Sequence, residues 1–299
     1  DDRIREESSF ERSETTFYCL PSEILSEVIV NLEGKDRDNL GCLNDRLEHL
    51  EQLAGHRRFS ILEFNSSGPY LIKAQGSGAI RKFGYLLPLE HVVMFFRRAT
   101  AERVEIKGPS LKQHEGKLHL ILKTVKFRKL DIEINNEESL KILMHILRHF
   151  TSIKEVTIRW NFDGVNIVKE QLLGLPPMHR YSITSADNKG FINDDVLLSV
   201  IGTWTASINL YSPQPAITAE GIEDAFRMVY TDRKPRTVFY SAPRAEVAFF
   251  TSRLDQSKFA NTDNTIKHVA SGATLTFNDV CLDAGARSIK MTNYPCQSF

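Results

Sequence analysis

His145 and His149 stand four residues apart, a spacing that on a helix puts two imidazoles on one face, as in paired zinc ligands. The catalytic version of that pattern needs a Glu directly after the first His. Here Ile146 takes that place, and no acidic third ligand is apparent nearby. The pair therefore reads as two histidines on a half-exposed helix face. Glu137-Glu138 and Asp194-Asp195 are carboxylate pairs of the kind used in acid/base chemistry, but each opens an apolar-periodic segment, where negative charge suits the positive end of the helix dipole. They read as helix starts. Gly76-Ser77-Gly78 lacks the Gly-Lys-Ser/Thr end of a phosphate loop, and no Gly-x-Ser-x-Gly elbow occurs. Cys42 lies among apolar-periodic residues and reads as core rather than nucleophile. The sequence thus predicts no catalytic residue, no metal ligand set and no cofactor.

Charge points the same way. Lys plus Arg equals Asp plus Glu, 38 of each in 299 residues, so no net field draws the chain to nucleic acid or to an acidic membrane. Aromatic and basic residues interleave at Arg159-Trp160 and Phe95-Phe96-Arg97-Arg98, which in a neutral chain is ordinary alternation of surface and core. Cys19, Cys42, Cys281 and Cys296 form no Cys-x-x-Cys pair. With no recognisable signal peptide, they are expected to be reduced thiols of a cytoplasmic or nuclear protein. No apolar run approaches the roughly 20 residues of a membrane helix. The chain begins at Asp1 rather than methionine, so an upstream segment is expected to be missing. Residues 1–16 are charged, Ser/Thr-rich and nearly devoid of apolar side chains; they are expected to form a mobile tail.

Residues 17–58 carry the densest local signal. Pro21 precedes good helix formers, as a first-turn proline does. Ile24, Leu25, Val28, Ile29 and Leu32 then form one apolar stripe, and Gly34 stops it. Asp36 can cap a second helix with Leu40 and Leu43, and Asn44 a third with Leu47, Leu50 and Leu53. Three such short helices make a core too small to be robust alone, so part of the apolar surface calls for a partner.

At these residues the chain resembles an F-box. Leu20, Pro21, Glu23, Ile24, Leu25, Ile29, Leu32, Lys35, Asp36, Leu40, Leu43 and Arg46 match that pattern in order and spacing. The departures are Gly41, where a helix-favouring Arg is usual, and Leu47, where an aromatic is usual. The resemblance covers about a seventh of the chain. It implies docking on the adaptor subunit of an SCF-type cullin–RING ubiquitin ligase, and through it on a cullin. The implied adaptor-binding residues are Leu20, Pro21, Ile24, Leu25, Val28, Ile29, Leu40 and Leu43.

Residues 59–299 repeat a strand and a helix. Phe59–Phe64 and Tyr70–Lys73 read as strands around a turn at 65–69, and Leu89–Ala99 as a helix with Val92, Val93, Phe95 and Phe96 on its bulky face. Strands then begin at Val104, Leu130, Val156, Tyr181, Ile208 and Val238, at steps of 25 to 30 residues. Apolar stripes of helical spacing separate most of them: Leu140, Leu143, Ile146 and Leu147; a shorter one at Val168, Leu172 and Leu173; Val196, Leu197, Val200 and Ile201; Ile222, Ala225, Phe226 and Val229; Val247, Phe249, Phe250 and Leu254. The Lys117–Phe127 run fits strand or helix. Beyond Leu254, Ile266 and Leu275-Thr276-Phe277 suggest one or two further strands, and the end from Met291 reads as loose chain.

Two α/β architectures accommodate this period. One is an irregular leucine-rich-repeat-like β/α horseshoe, with parallel strands on its concave side; the other is a doubly wound sheet. Even spacing and alternating strands favour the horseshoe, because strands buried on both faces read as nearly continuous apolar runs. The strict Leu-x-x-Leu-x-Leu-x-x-Asn pattern is absent, and the degenerate repeats resemble those of the F-box families expanded in roundworms. The expected fold class is thus α/β: a small three-helix F-box followed by an irregular leucine-rich-repeat-like β/α horseshoe.

If Leu130, Ile132 and Ile134 point inward, then Asp131, Glu133 and Asn135 face out, followed by Glu155, Thr157 and Arg159, by Arg180, Ser182 and Thr184, by Ser207, Asn209 and Tyr211, and by Thr237 and Phe239. Such mixed chemistry suits a protein partner better than a phosphate backbone. Arg159, Arg180, Tyr211 and Phe239 are the expected anchors for a protein target, Arg and Tyr being enriched among residues that dominate binding. Together with the F-box resemblance, this implies a substrate receptor of a ubiquitin ligase. The competing readings are a non-ligase interaction scaffold with a drifted F-box, and an α/β enzyme.

Overall fold

The computed structural model describes residues 20–32, 36, 46, 47, 50, 58–76, 80–86, 88–96, 99–162, 175–185, 191–203, 205–232, 234–262, 264–278 and 286–293. The expected tail at 1–16, together with Gly41, Leu40 and Leu43, lies outside them. Helix α1 (Ser22–Asn31) begins directly after Pro21 and ends where Leu32 turns to extended backbone. Its Leu25 and Ile29 are buried with Leu47 and Leu50, and Leu20 packs against that cluster. Arg46 closes it: its guanidinium donates to the Leu20 carbonyl at 3.0 Å and to Ser22 Oγ at 3.1 Å.

A mixed α/β domain follows. In chain order it comprises β1 (Arg58–Asn65), β2 (Ile72–Gln75), β3 (Ile80–Phe83), α2 (Leu89–Phe96), β4 (Thr100–Lys107), α3 (Glu115–Thr124), β5 (Lys126–Ile134), α4 (Glu137–His149), β6 (Glu155–Trp160) and β7 (Arg180–Ser185). Then come α5 (Asp194–Gly202), β8 (Ser207–Tyr211), α6 (Ala219–Thr231), β9 (Arg236–Pro243), α7 (Arg244–Ser252), β10 (Phe259–Thr262), β11 (Thr265–His268), β12 (Thr274–Asn278) and β13 (Ala286–Asn293). Among the described residues, all thirteen strands join one sheet in the order β10-β11-β12-β13-β9-β8-β7-β6-β5-β4-β1-β2-β3.

The run β1-β4-β5-β6-β7-β8-β9 is parallel throughout, each strand adding beside its predecessor. A doubly wound sheet needs a point where strand order reverses, and this run has none. Right-handed crossovers that always step the same way keep the connecting helices on one face. Burial agrees. In β6, β7 and β8 every second residue is buried, and those between are half-buried or exposed. Leu130, Ile132, Ile134, Val156, Ile158, Trp160, Tyr181, Ile183, Ile208, Leu210, Val238 and Tyr240 form the buried rows against the helices. Trp160 illustrates the alternation: it is fully buried and stacks on Phe191 at 4.4 Å, while Arg159 beside it is exposed.

Side-chain caps set where the helices start. Asn136 accepts from Ser139 N at 2.9 Å to open α4, and Asn193 accepts from Val196 N at 3.0 Å to open α5. Thr218 accepts from Gly221 N at 3.1 Å to open α6. Glu137-Glu138 and Asp194-Asp195 occupy first turns, as their placement predicts.

Three expectations change. Lys117–Phe127 divides into the end of α3 and the start of β5. The short exposed strand β3 pairs with β2 as a hairpin that the sequence does not announce. The end is not loose at Met291, because β13 runs antiparallel along the whole of β9 and buries Ile289 and Met291 completely. Asn293 anchors it, its side-chain amide donating to the carbonyls of Val229 (3.0 Å) and Asp232 (2.5 Å) at the end of α6. The signal was weak because only Ile289 and Met291 alternate inward. The helix expected at Val168, Leu172 and Leu173 lies outside the described residues. Among the described residues no helix is long and apolar enough to cross a membrane.

Candidate protein-interaction face

The sheet face away from the helices is the open one, and its side chains align in register. One row runs Lys73, Glu63, Glu105, Asp131, Thr157, Ser182, Asn209, Phe239 and Lys290 across nine adjacent strands. Parallel pairing without slippage produces such rows, since partners across a sheet point to the same face.

Along this row the chemistry changes. Glu63, Glu105 and Asp131 are neighbours, and three like charges on adjacent strands repel. Basic residues on the same face offset that repulsion. Lys107 Nζ lies 2.6 Å from Glu105 and 3.4 Å from Glu63, and Arg103 lies 2.9 Å from Glu105 and 3.8 Å from Asp131. Arg159 lies 3.8 Å from Asp131 and 4.0 Å from Glu133, and Lys129 pairs with Glu155 at 3.5 Å. Burial pushes the Glu105 carboxyl up, but the Lys107 ammonium, with Arg103 and Arg159, outweighs it and holds the group below its ordinary value. The N-terminal half of the face is thus a self-neutralised ion-pair lattice.

The other half differs. Strands β7 to β13 contain no Asp or Glu. Their open-face positions carry Ser182, Thr184, Ser207, Asn209, Thr237 and Ser288, with aromatic rings at Tyr211 and Phe239. Tyr211 is 44% exposed, and Lys290 Nζ sits 5.3 Å over the Phe239 ring, within cation–π range. A cleft of about 430 Å³ opens here, lined by Asn209, Tyr211, Phe239, Ser241 and Ser288 among others. A second, of about 300 Å³, lies at the opposite end between Tyr70, Lys73, Ile80 and Lys82.

All four expected target anchors, Arg159, Arg180, Tyr211 and Phe239, lie on this open face, but they are not one cluster. Arg159 belongs to the ion-pair lattice. Tyr211 and Phe239 share the larger cleft. Arg180 sits in register with Glu155, yet Glu155 pairs with Lys129 instead. Sequence reasoning missed Ser288 and Lys290, because β13 was read as the approach to a loose end; the alternation Ile289-Lys290-Met291 was the available signal.

The apolar stripe of α1 divides in two. Leu25 and Ile29 are buried in the unit's own core with Leu47 and Leu50, so of the expected adaptor contacts these two face inward. Leu20, partly buried on the same cluster, is likewise mostly structural. Ile24 (46% exposed), Val28 (36% exposed) and Pro21 remain outward.

His145 and His149 meet His119 of α3. His145 Nε2 lies 3.2 Å from His119 Nδ1, and His149 Nδ1 lies 2.8 Å from the His145 carbonyl. Partial burial, then the charges of Lys123, His145 and His149, hold His119 below its ordinary value. No group of three or more His, Cys, Asp or Glu among the described residues is arranged to hold a metal.

Compared with known proteins, the chain matches no family model, and no curated protein matches it closely.

Proposed function

We propose that this protein is a substrate-recognition subunit of an SCF-type ubiquitin ligase. On this reading α1 docks on the adaptor through Ile24, Val28 and Pro21, and the open face of a leucine-rich-repeat-like sheet holds a protein target. The observation that carries it is the exposed apolar pair Ile24 and Val28 on a helix whose other side is fully used by its own small core. Burying each such side chain against a partner is worth about 1.5–3 kcal/mol. A sheet with one face covered by helices and the other open supports the target half of the proposal. The protein would then act by proximity, raising a target's effective concentration near the ubiquitin-charged enzyme. Titration of the purified chain with the ligase adaptor tests it: saturable binding that Ile24→Asp abolishes is expected. No binding by the unaltered chain would remove the ligase reading and leave that of a scaffold whose F-box has drifted, which the Gly41 departure motivates.

A further inference from the structure

We infer that the target segment held by the open face is an extended acidic peptide, bound over β7 to β13 by Arg180 and Lys290 with Tyr211 and Phe239 as its apolar floor. This rests on the reading of that face as the target face, and adds the location and the charge of what it binds.

The two halves of the face differ in what they have left to offer a partner. Over β1, β4, β5 and β6 every outward carboxylate (Glu63, Glu105, Asp131, Glu133 and Glu155) already has a Lys or Arg within 4.0 Å. A partner docking there would have to desolvate or break those pairs, a cost that incoming charges repay only with good geometry. Over β7 to β13 the balance is one-sided, because those strands have no carboxylate at all. Arg180, Lys267 and Lys290 project on the open side by register, and none has a carboxylate partner among the described residues. Arg180 is left over because its register neighbour Glu155 is held by Lys129. This half of the face thus carries positive charge that no carboxylate of its own strands offsets.

Shape and polarity agree. The larger cleft lies within this half, between Tyr211 and Phe239, and gives an apolar side chain somewhere to go. The surrounding hydroxyls and Asn209 can bond either to peptide groups or to carboxylate oxygens. An extended segment alternating acidic and apolar residues would therefore meet cations and cleft in turn.

Two labelled synthetic peptides test this against the purified full chain by fluorescence anisotropy: one in which Glu alternates with Leu and Ser, and one with Lys in place of Glu. The acidic peptide is expected to bind, to weaken as salt rises, and to lose at least about tenfold in affinity when Arg180→Glu and Lys290→Glu are combined. Lys73→Glu, the same reversal at the opposite end of the face, is expected to change it by less than about twofold. The milder pair Arg180→Gln and Lys290→Gln, with an unchanged melting midpoint, guards against misfolding of the charge-reversed chain. Equal binding of the basic peptide, no binding of the acidic one, or equal losses from Lys73→Glu and the Arg180/Lys290 pair would each overturn the inference. Adaptor titration on the same samples is independent of these outcomes, so a failed peptide test and a failed ligase reading are told apart.

Discussion

The carboxylate of Asp194, first residue of α5, accepts from both the backbone N–H and the hydroxyl of Thr218, at 2.8 and 2.6 Å. Thr218 in turn caps α6, so one helix start is held by the start of the helix before it. Gly221 is what permits this, because a β-carbon there would collide with the Asp194 carboxylate. Gly→Ala inside a helix ordinarily stabilises by about 1 kcal/mol. Here Gly221→Ala is expected to destabilise, and in an Asp194→Ala background the same change is expected to stabilise. Denaturant titrations of the double-mutant cycle check the reversal of sign.

Neighbouring residues on α1 are expected to respond oppositely to the same substitution. Ile24→Asp places a charge at a half-exposed position and should remove adaptor binding without melting the helix unit. Leu25→Asp buries an uncompensated carboxylate among Ile29, Leu47 and Leu50, a large cost, and should unfold that unit. Hydrogen exchange over residues 20–32 separates the two; equal protection in both variants would refute the division of the stripe.

Replacing Arg159, Arg180, Tyr211 and Phe239 together by Ala is expected to abolish target capture, spare adaptor binding and leave the melting midpoint nearly unchanged. The ion pairs lost are those of Arg159 at 3.8 and 4.0 Å, and exposed pairs of this kind contribute about 0–1 kcal/mol. A large fall in the midpoint would show that the open face carries more of the stability than its exposure implies.

Stability is expected to fall as the pH drops below about 6.5. Burial and nearby positive charge hold His119 below its ordinary 6.5, and His114 and His268 are lowered as well, by burial and then by Lys117 and Lys258. The unfolded chain therefore takes up these protons first, and the stability present above the unfolded value is lost as pH falls through the folded one. His119→Asn should flatten melting midpoints measured between about pH 7.5 and 5.5.

Ile289→Ala and Met291→Ala are each expected to cost about 2–5 kcal/mol, because both side chains are fully buried. Cutting β13 away should do worse, exposing the edge of β9 for intermolecular pairing. Light scattering of the truncated chain measures that, and a soluble, stable truncation would contradict the role of β13 as the partner of β9.

Much of this molecule is decided locally, and those parts are legible in the sequence. Pro21 followed by helix formers, the acidic pairs Glu137-Glu138 and Asp194-Asp195 that open α4 and α5, and the alternation in Val156–Trp160 act within a few residues, so reading them needs no knowledge of the rest of the chain. The same alternation assigned Arg159, Arg180, Tyr211 and Phe239 to the open face, since side-chain direction in a strand depends only on parity. What each outward side chain then does was decided by strands far away in sequence. Arg159 is tied up and Arg180 is left over because parallel register sets Asp131 and Glu133 beside the first, while Lys129 takes Glu155 from the second. Likewise Leu25 and Ile24 are equivalent aliphatics in the sequence, and only the arrival of Leu47 and Leu50 buries the one and leaves the other exposed. β13 is the extreme case: its few apolar residues make a poor local signal, and it exists as a strand because β9 offers a full edge to pair with and the end of α6 offers two carbonyls to Asn293.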